Sequence, residues 1–195
     1  MGLSRITLEN FRNHAATTLG ETAHFNLLVG ENGAGKTNLI EALSLLGPGR
    51  GLRRANLGEL GRRTAPDAAP LAFAIGASLT EAGAVTARLG TYSEPGQSGR
   101  RLVRINGAPA SAARLAEWLA LTWLTPAMDG LFTDSAGARR RFIDRMALAI
   151  APDHAREVSA FETALRERAR LLESGGDPRW LEALEHRAAA HGAAL

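Results

Sequence analysis

The sequence predicts an α/β fold, with strands and helices in a lobe over residues 1–108 and a helical lobe over 109–195. Three observations predict it. The apolar run "HFNLLVG" at 24–30 passes through a glycine-rich turn directly into helical apolar spacing. Short apolar segments follow one another between residues 71 and 106 and close on turn residues. From Ser111 onward the apolar period becomes helical.

Taken in order, "LSRITLE" at 3–9 is short, partly alternating and bounded by Asn10, which predicts a strand. Residues 24–30 predict a second strand ending at a glycine. Leu39, Ile40, Leu43 and Leu46 recur at helical spacing from Lys36, and Gly47, Pro48 and Gly49 stop that helix. Residues 50–70, rich in Arg, Gly and Pro, read as a loop. "LAFAIGASL" (71–79) and "AVTARLG" (84–90), joined by "TEAG", predict a hairpin. "RLVRIN" (101–106) adds a strand that closes on Asn106–Gly107.

The second lobe opens with "SAARLAEWLA", which carries Leu115, Trp118 and Leu119 on one face. "ARRRFIDRMALAI" repeats the spacing with Phe142, Ile143, Met146 and Ile150. After Pro152 come Val158, Phe161, Leu165 and Leu172, a break at "SGGDP", then Trp180, Leu181, Leu184 and Arg187. That predicts two antiparallel helices joined by a short loop. The closing "HRAAAHGAAL" neither caps the last helix nor finishes a domain, so the chain reads as truncated.

Composition narrows the function classes. Hydrophobic residues at 45% and charged residues at 22% are ordinary for a globular protein, and aromatics at 5% leave the core to aliphatic side chains. No apolar run approaches the roughly 20 residues needed to span a bilayer, which argues against a membrane partner. The start turns polar too soon for a secretory signal, and the chain has no cysteine, which excludes disulfides, thiolate metal sites and cysteine nucleophiles. A cytoplasmic location fits. The formal charge is only +3, yet the pI is about 10.4 because nearly all the base is arginine, whose forked guanidinium suits phosphate.

Lys36 is the only lysine, and it stands in "GENGAGKTN" at 30–38. Residues 30–37 match G-x-x-x-x-G-K-[ST] with a predicted strand before and a helix after, the context that gives this motif its meaning. Gly30, Gly33 and Gly35 let the backbone curl so that successive N–H groups face phosphate, while Glu31, Asn32 and Ala34 occupy the variable positions. The helix adds its N-terminal donors. Lys36 is placed to reach the β- and γ-phosphates, Thr37 to put a hydroxyl on Mg²⁺, and Asn38 to brace the loop. Hydrolysis also needs a carboxylate at the end of an apolar strand. None follows residue 37, and Asp129 and Asp134 lack the strand, so no catalytic residue is assigned.

Beyond that loop, "ITLENFRNH" at 6–14, "VRINGAPA" and "LTPAMDGLFTDSAGARRRFIDR" occur in an order that resembles the N-terminal part of the RecF family, relatives of SMC proteins and ABC-type ATPases. The resemblance covers essentially the whole chain. It implies a P-loop, ABC-type ATP-binding lobe of mixed β-sheet and helices with an inserted helical lobe, and ATP with Mg²⁺ as cofactors. It implies action in DNA replication, recombinational repair and the response to DNA damage, with DNA, an ATP-dependent second copy and recombination mediators as partners. By their residues alone Arg12 reads as a surface arginine and Asn13 as a local cap; the resemblance assigns both to nucleotide phosphates. "LLESGGD" at 171–177 looks like the signature that touches ATP across ABC-type dimers, but its flanks make it a hairpin loop. With the signature and the acidic strand expected further on, this chain is expected to be largely monomeric and to hydrolyse ATP negligibly.

Arg50, Arg53 and Arg54 put three phosphate donors within five residues and are the candidates for DNA contact. The alternative reading is a small P-loop nucleotide kinase or another phosphoryl-transfer enzyme, which leaves "FRNH" and the long helical arm unexplained.

Overall fold

The computed structural model describes residues 2–96 and 99–195, and its contacts divide the chain into Met1–Trp123 and Leu124–Leu195. The first unit is built on six strands: β1 (Gly2–Phe11), β2 (His14–Gly20), β3 (Ala74–Glu81), β4 (Ala84–Tyr92), β5 (Leu102–Ile105) and β6 (Ala108–Ala110). They form one sheet in the order β2-β1-β3-β4-β5-β6, with every neighbouring pair antiparallel. Strand side chains alternate between faces, so Ile6, Leu8, Ile75, Ala77, Leu79, Ala87, Leu89, Val103 and Ile105 all fall on one buried face. Helix α1 (Lys36–Ser44) and the residues after it bring Leu39, Ala42, Leu45 and Leu46 into the same core. Each such leucine stabilises the unit by about 2 kcal/mol through the apolar surface it removes from water.

Two further contacts hold the unit together. Phe11 and Phe73 meet edge to face at 5.6 Å, closing the core below the β1–β2 turn. Arg101, just before β5, donates to the carbonyls of Leu45 (3.0 Å) and Gly47 (3.3 Å). Its charge thus meets the negative end of α1, and burial holds its guanidinium pKa below the usual value.

Three expectations need correction. Residues 24–30 form no strand: Phe25, Leu27 and Val29 alternate as a strand would, but no described strand pairs with them, and they stand 88%, 87% and 82% exposed. Strands β2 and β6 were not expected, because "HAATTLG" and "APA" carry little apolar alternation; pairing with β1 and β5 supplies what pattern does not. The segment expected as an α-helix from Ser111 is a short 3₁₀ helix, Ala112–Glu117, which still buries Leu115.

The second unit holds α2 (Ala136–Ile150), α3 (His154–Glu173) and α4 (Pro178–Gly192). The hydroxyl of Ser135 accepts from the Ala138 N–H to start α2, and Asp177 accepts from Arg179 to start α4, where Pro178 costs no hydrogen bond. Between α3 and α4, Ser174 caps the helix and Gly175 takes φ 66, so "SGGD" is the hairpin loop the sequence predicts. Ala164, Leu184 and Ala188 form the α3–α4 seam, flanked by Arg168–Glu185 (2.8 Å) and Arg187–Glu167 (3.3 Å). Helix α2 buries no residue fully; Ile143, Met146 and Ile150 of its apolar face remain exposed.

Candidate functional site

The β1–β2 turn, the glycine loop and α1 meet at one place. Phe11 pairs with His14, so Arg12 and Asn13 are the two turn residues. Arg12 takes φ 53, a conformation that costs a non-glycine residue about 1 kcal/mol or more. Its guanidinium is held by what it grips. Nε donates to Glu41 Oε2 at 3.0 Å, Nη2 to Oε1 at 2.9 Å, and Nη1 to the Glu59 carbonyl at 3.3 Å. Glu41 comes from α1 and is 2% exposed. A second arginine, Arg53, donates to Glu41 Oε2 at 3.2 Å and to Asn38 Oδ1 at 3.0 Å.

The network continues into the loop. Asn38 Nδ2 donates to Asn13 Oδ1 at 2.9 Å, and Asn13 Nδ2 donates to the Gly33 carbonyl at 3.2 Å. The His14 ring bonds Thr17 Oγ1 at 2.9 Å and the Gly35 carbonyl at 3.2 Å. Gly35, at φ 102, lies directly beneath these side chains. A Cβ there would stand 2.7 Å from His14 Nε2 and 2.8 Å from Asn13 Oδ1, so a larger residue would be strained at this φ and would displace both side chains. Gly33 also takes positive φ, at 85.

The donor set suits an anion. Helix α1 begins at Lys36 on a glycine N-cap, with no side-chain cap bond and no acidic residue in its first turn. Its leading N–H groups and the positive end of the helix therefore face the loop without a carboxylate to compete. Lys36 Nζ donates to the carbonyls of Gly30 (2.6 Å) and Glu31 (2.8 Å), which lays the ammonium across the loop. Thr37 is exposed at the next position, as are Glu31, Asn32 and Ala34. Among the described residues no group of His, Asp or Glu forms a metal-binding cluster, so Thr37 brings one hydroxyl and no carboxylate ring.

The structure thus brings Arg12, Asn13, Lys36, Thr37 and Asn38 to one site. It separates the three arginines that follow α1 by their partners: all three are exposed, but Arg53 donates to Asn38 and Glu41. Glu41 and His14 escaped the sequence reading. Glu41 sits five residues past Lys36 in a helix of otherwise modest polarity, and only its burial reveals it; His14 follows "FRN" directly, which was the available signal.

Comparison with known proteins places this geometry. The family model of the RecF/RecN/SMC N-terminal domain matches residues 2–176. Curated relatives named DNA replication and repair protein RecF are 47% identical over 198 residues in Rhizobium etli (strain CIAT 652) and 48% identical over 196 residues in Mesorhizobium japonicum. These alignments cover 100% and 99% of this chain but 52% and 50% of the relatives, so the chain spans about half their length. A solved structure of the recombination mediator protein RecF-ATPrS in the RecFOR pathway superposes with a TM-score of 0.81 at 22% identity, covering 98% of this chain and 51% of that one. With the turn, loop and helix all inside the matched span, the chain belongs to the RecF/RecN/SMC N-terminal domain family.

Proposed function

We propose that this chain binds ATP with Mg²⁺ at the 30–38 loop and forms the nucleotide-binding part of an ATP-dependent DNA-binding protein of replication and recombinational repair. One observation carries the reading: the uncapped N-terminus of α1, behind a loop whose φ at Gly35 favours glycine, with the chain's single lysine lying across it. Lys36, which now donates to the Gly30 and Glu31 carbonyls, would supply the ammonium for the β- and γ-phosphates. The first-turn N–H groups hold phosphate oxygens, and Arg12 and Asn13 orient the loop from the β1–β2 turn. Thr37 would offer its hydroxyl to Mg²⁺, which would supply charge that offsets the phosphates. The relatives' names support the repair role; DNA, an ATP-dependent second copy and recombination-mediator partners, and a cytoplasmic setting, belong to this proposal.

Turnover is not expected of this chain, since no acidic residue ends an apolar strand beside the loop among the described residues. Titration calorimetry with ATP–Mg²⁺ tests the reading. Binding that Lys36→Ala reduces at least ten-fold is the expected result. Equal affinity in the variant would refute the site, and robust hydrolysis lost in Lys36→Ala would overturn the view that the hydrolytic groups lie elsewhere.

A further inference from the structure

The sheet has a second face, opposite the core, and the site above does not use it. Cross-strand register places Arg5 of β1, Ser78 of β3 and Arg88 of β4 in one row, and Thr7, Gly76, Gly90 and Arg104 in the next. Arg5 and Arg88 stand two strands apart, about 10 Å. Between them lies an open trough of about 480 Å³ whose floor includes Thr7, Gly76 and Ser78. The floor is kept low by contact. A Cβ on Gly76 would stand 2.6 Å from Thr7 Oγ1, so this point accepts no larger residue without displacing Thr7.

The charges on this face are unbalanced. Arg5, Arg88 and Arg104 form no ion pair among the described residues, and Glu9 is the one carboxylate on the outer positions of β1 to β5, at the far end of β1. Arg104 lies over the Tyr92 ring at 5.1 Å, which holds it upright on the face while leaving its donors open. A β-bulge between Leu3 and Arg5 sets the first arginine: the extra residue sends Leu3 toward the core and Arg5 outward. The matching irregularity between Leu79 and Thr80 lies at the same end of the sheet.

We propose that this outer sheet face is a docking surface for the phosphate backbone of duplex DNA, with Arg5, Arg88 and Arg104 as the phosphate contacts. The inference rests on the DNA-binding reading above and names a surface distinct from Arg50, Arg53 and Arg54. Three exposed guanidinium groups without carboxylate partners among the described residues complement a polyanion, and a floor of glycine, serine and threonine lets a broad, rigid partner approach the strands. Among the described residues only one aromatic ring, Tyr92, lies on the face, and Arg104 covers it, which disfavours stacking of single-stranded bases there.

Anisotropy of a labelled mixed-sequence duplex, titrated with the protein at several salt concentrations, tests this. The Arg5→Gln/Arg88→Gln/Arg104→Gln variant should bind about ten-fold more weakly or worse, with the salt slope reduced by about 2 to 3. Ser78→Glu, which removes no arginine and places a carboxylate between two of them, should weaken binding in the same direction. Thermal melting and ATP calorimetry should match the unsubstituted protein in both variants. Duplex affinity and salt slope unchanged in the folded triple variant, but lost in Arg50→Gln/Arg53→Gln/Arg54→Gln, would sink this surface and leave the DNA-binding reading standing. Absence of duplex binding by the unsubstituted protein would remove both. Polyglutamate bound through these arginines, with duplex binding independent of them, would assign the face to an acidic protein instead.

Discussion

A carboxylate buried to 2% exposure is costly unless its oxygens are satisfied, and Glu41 satisfies both by gripping Arg12 and Arg53. Removing it strands Arg12 in a strained turn with its main partner gone. Glu41→Ala should therefore destabilise the chain by about 3 kcal/mol in chemical denaturation. If Glu41 acts on the loop through Arg12, Glu41→Gln should weaken ATP binding in the native background and add little in Arg12→Ala; independent, additive losses would show that Glu41 serves the fold alone. At this scale the sequence was legible where chemistry is local. Gly33, Gly35, Lys36 and Thr37 could be read together because they are neighbours in the chain. The Arg12–Glu41–Arg53 cluster could not, since its members lie 29 and 12 residues apart and only the packing of α1 beside the β1–β2 turn joins them.

Elements were legible in proportion to how much of their stability is their own. The α3–α4 hairpin carries a glycine break and a helical apolar period, and both helices and their loop appear as expected, although Leu165, Leu172 and Trp180 of that period stay exposed. Residues 24–30 carry strand alternation, yet a strand also needs a neighbour, and pattern cannot report one. β2 is the converse case: its sequence is weak and its partner, β1, is strong. The helical hairpin also has a pH-sensitive tie. Glu157 of α3 meets His191 of α4 at 2.7 Å and Arg156 at 3.1 Å. Hydrogen bonds from His191 and then Arg156 hold its carboxyl pKa below 4.5. A lowered folded-state pKa means the contribution is full above about 4.5 and lost as pH falls through the folded value. Helical circular dichroism followed during thermal melting should show melting temperature falling as pH drops below about 4.5, and Glu157→Gln should flatten that fall. An identical pH profile in the variant would rule the tie out.

At the scale of the whole molecule, the family's architecture was legible because its distinguishing segments run in order along nearly the entire chain. The basic outer sheet face was not, because it depends on register: a shift of one residue in β1 would turn Arg5 inward and Ile6 outward. The same dependence on pairing governs how the purified chain should keep in solution. Phe25, Leu27 and Val29 present exposed apolar side chains on a segment with which no described strand pairs. Such a segment can recruit its twin from another molecule, one strand beside the next. Storage at high concentration should therefore produce growing light scatter and thioflavin fluorescence. Leu27→Lys, which adds a gatekeeping charge where nothing is packed, should suppress both while leaving the melting temperature unchanged. Equal aggregation in that variant would point to a different sticky surface, and a handler of this protein would then have to look among the exposed apolar side chains of α2.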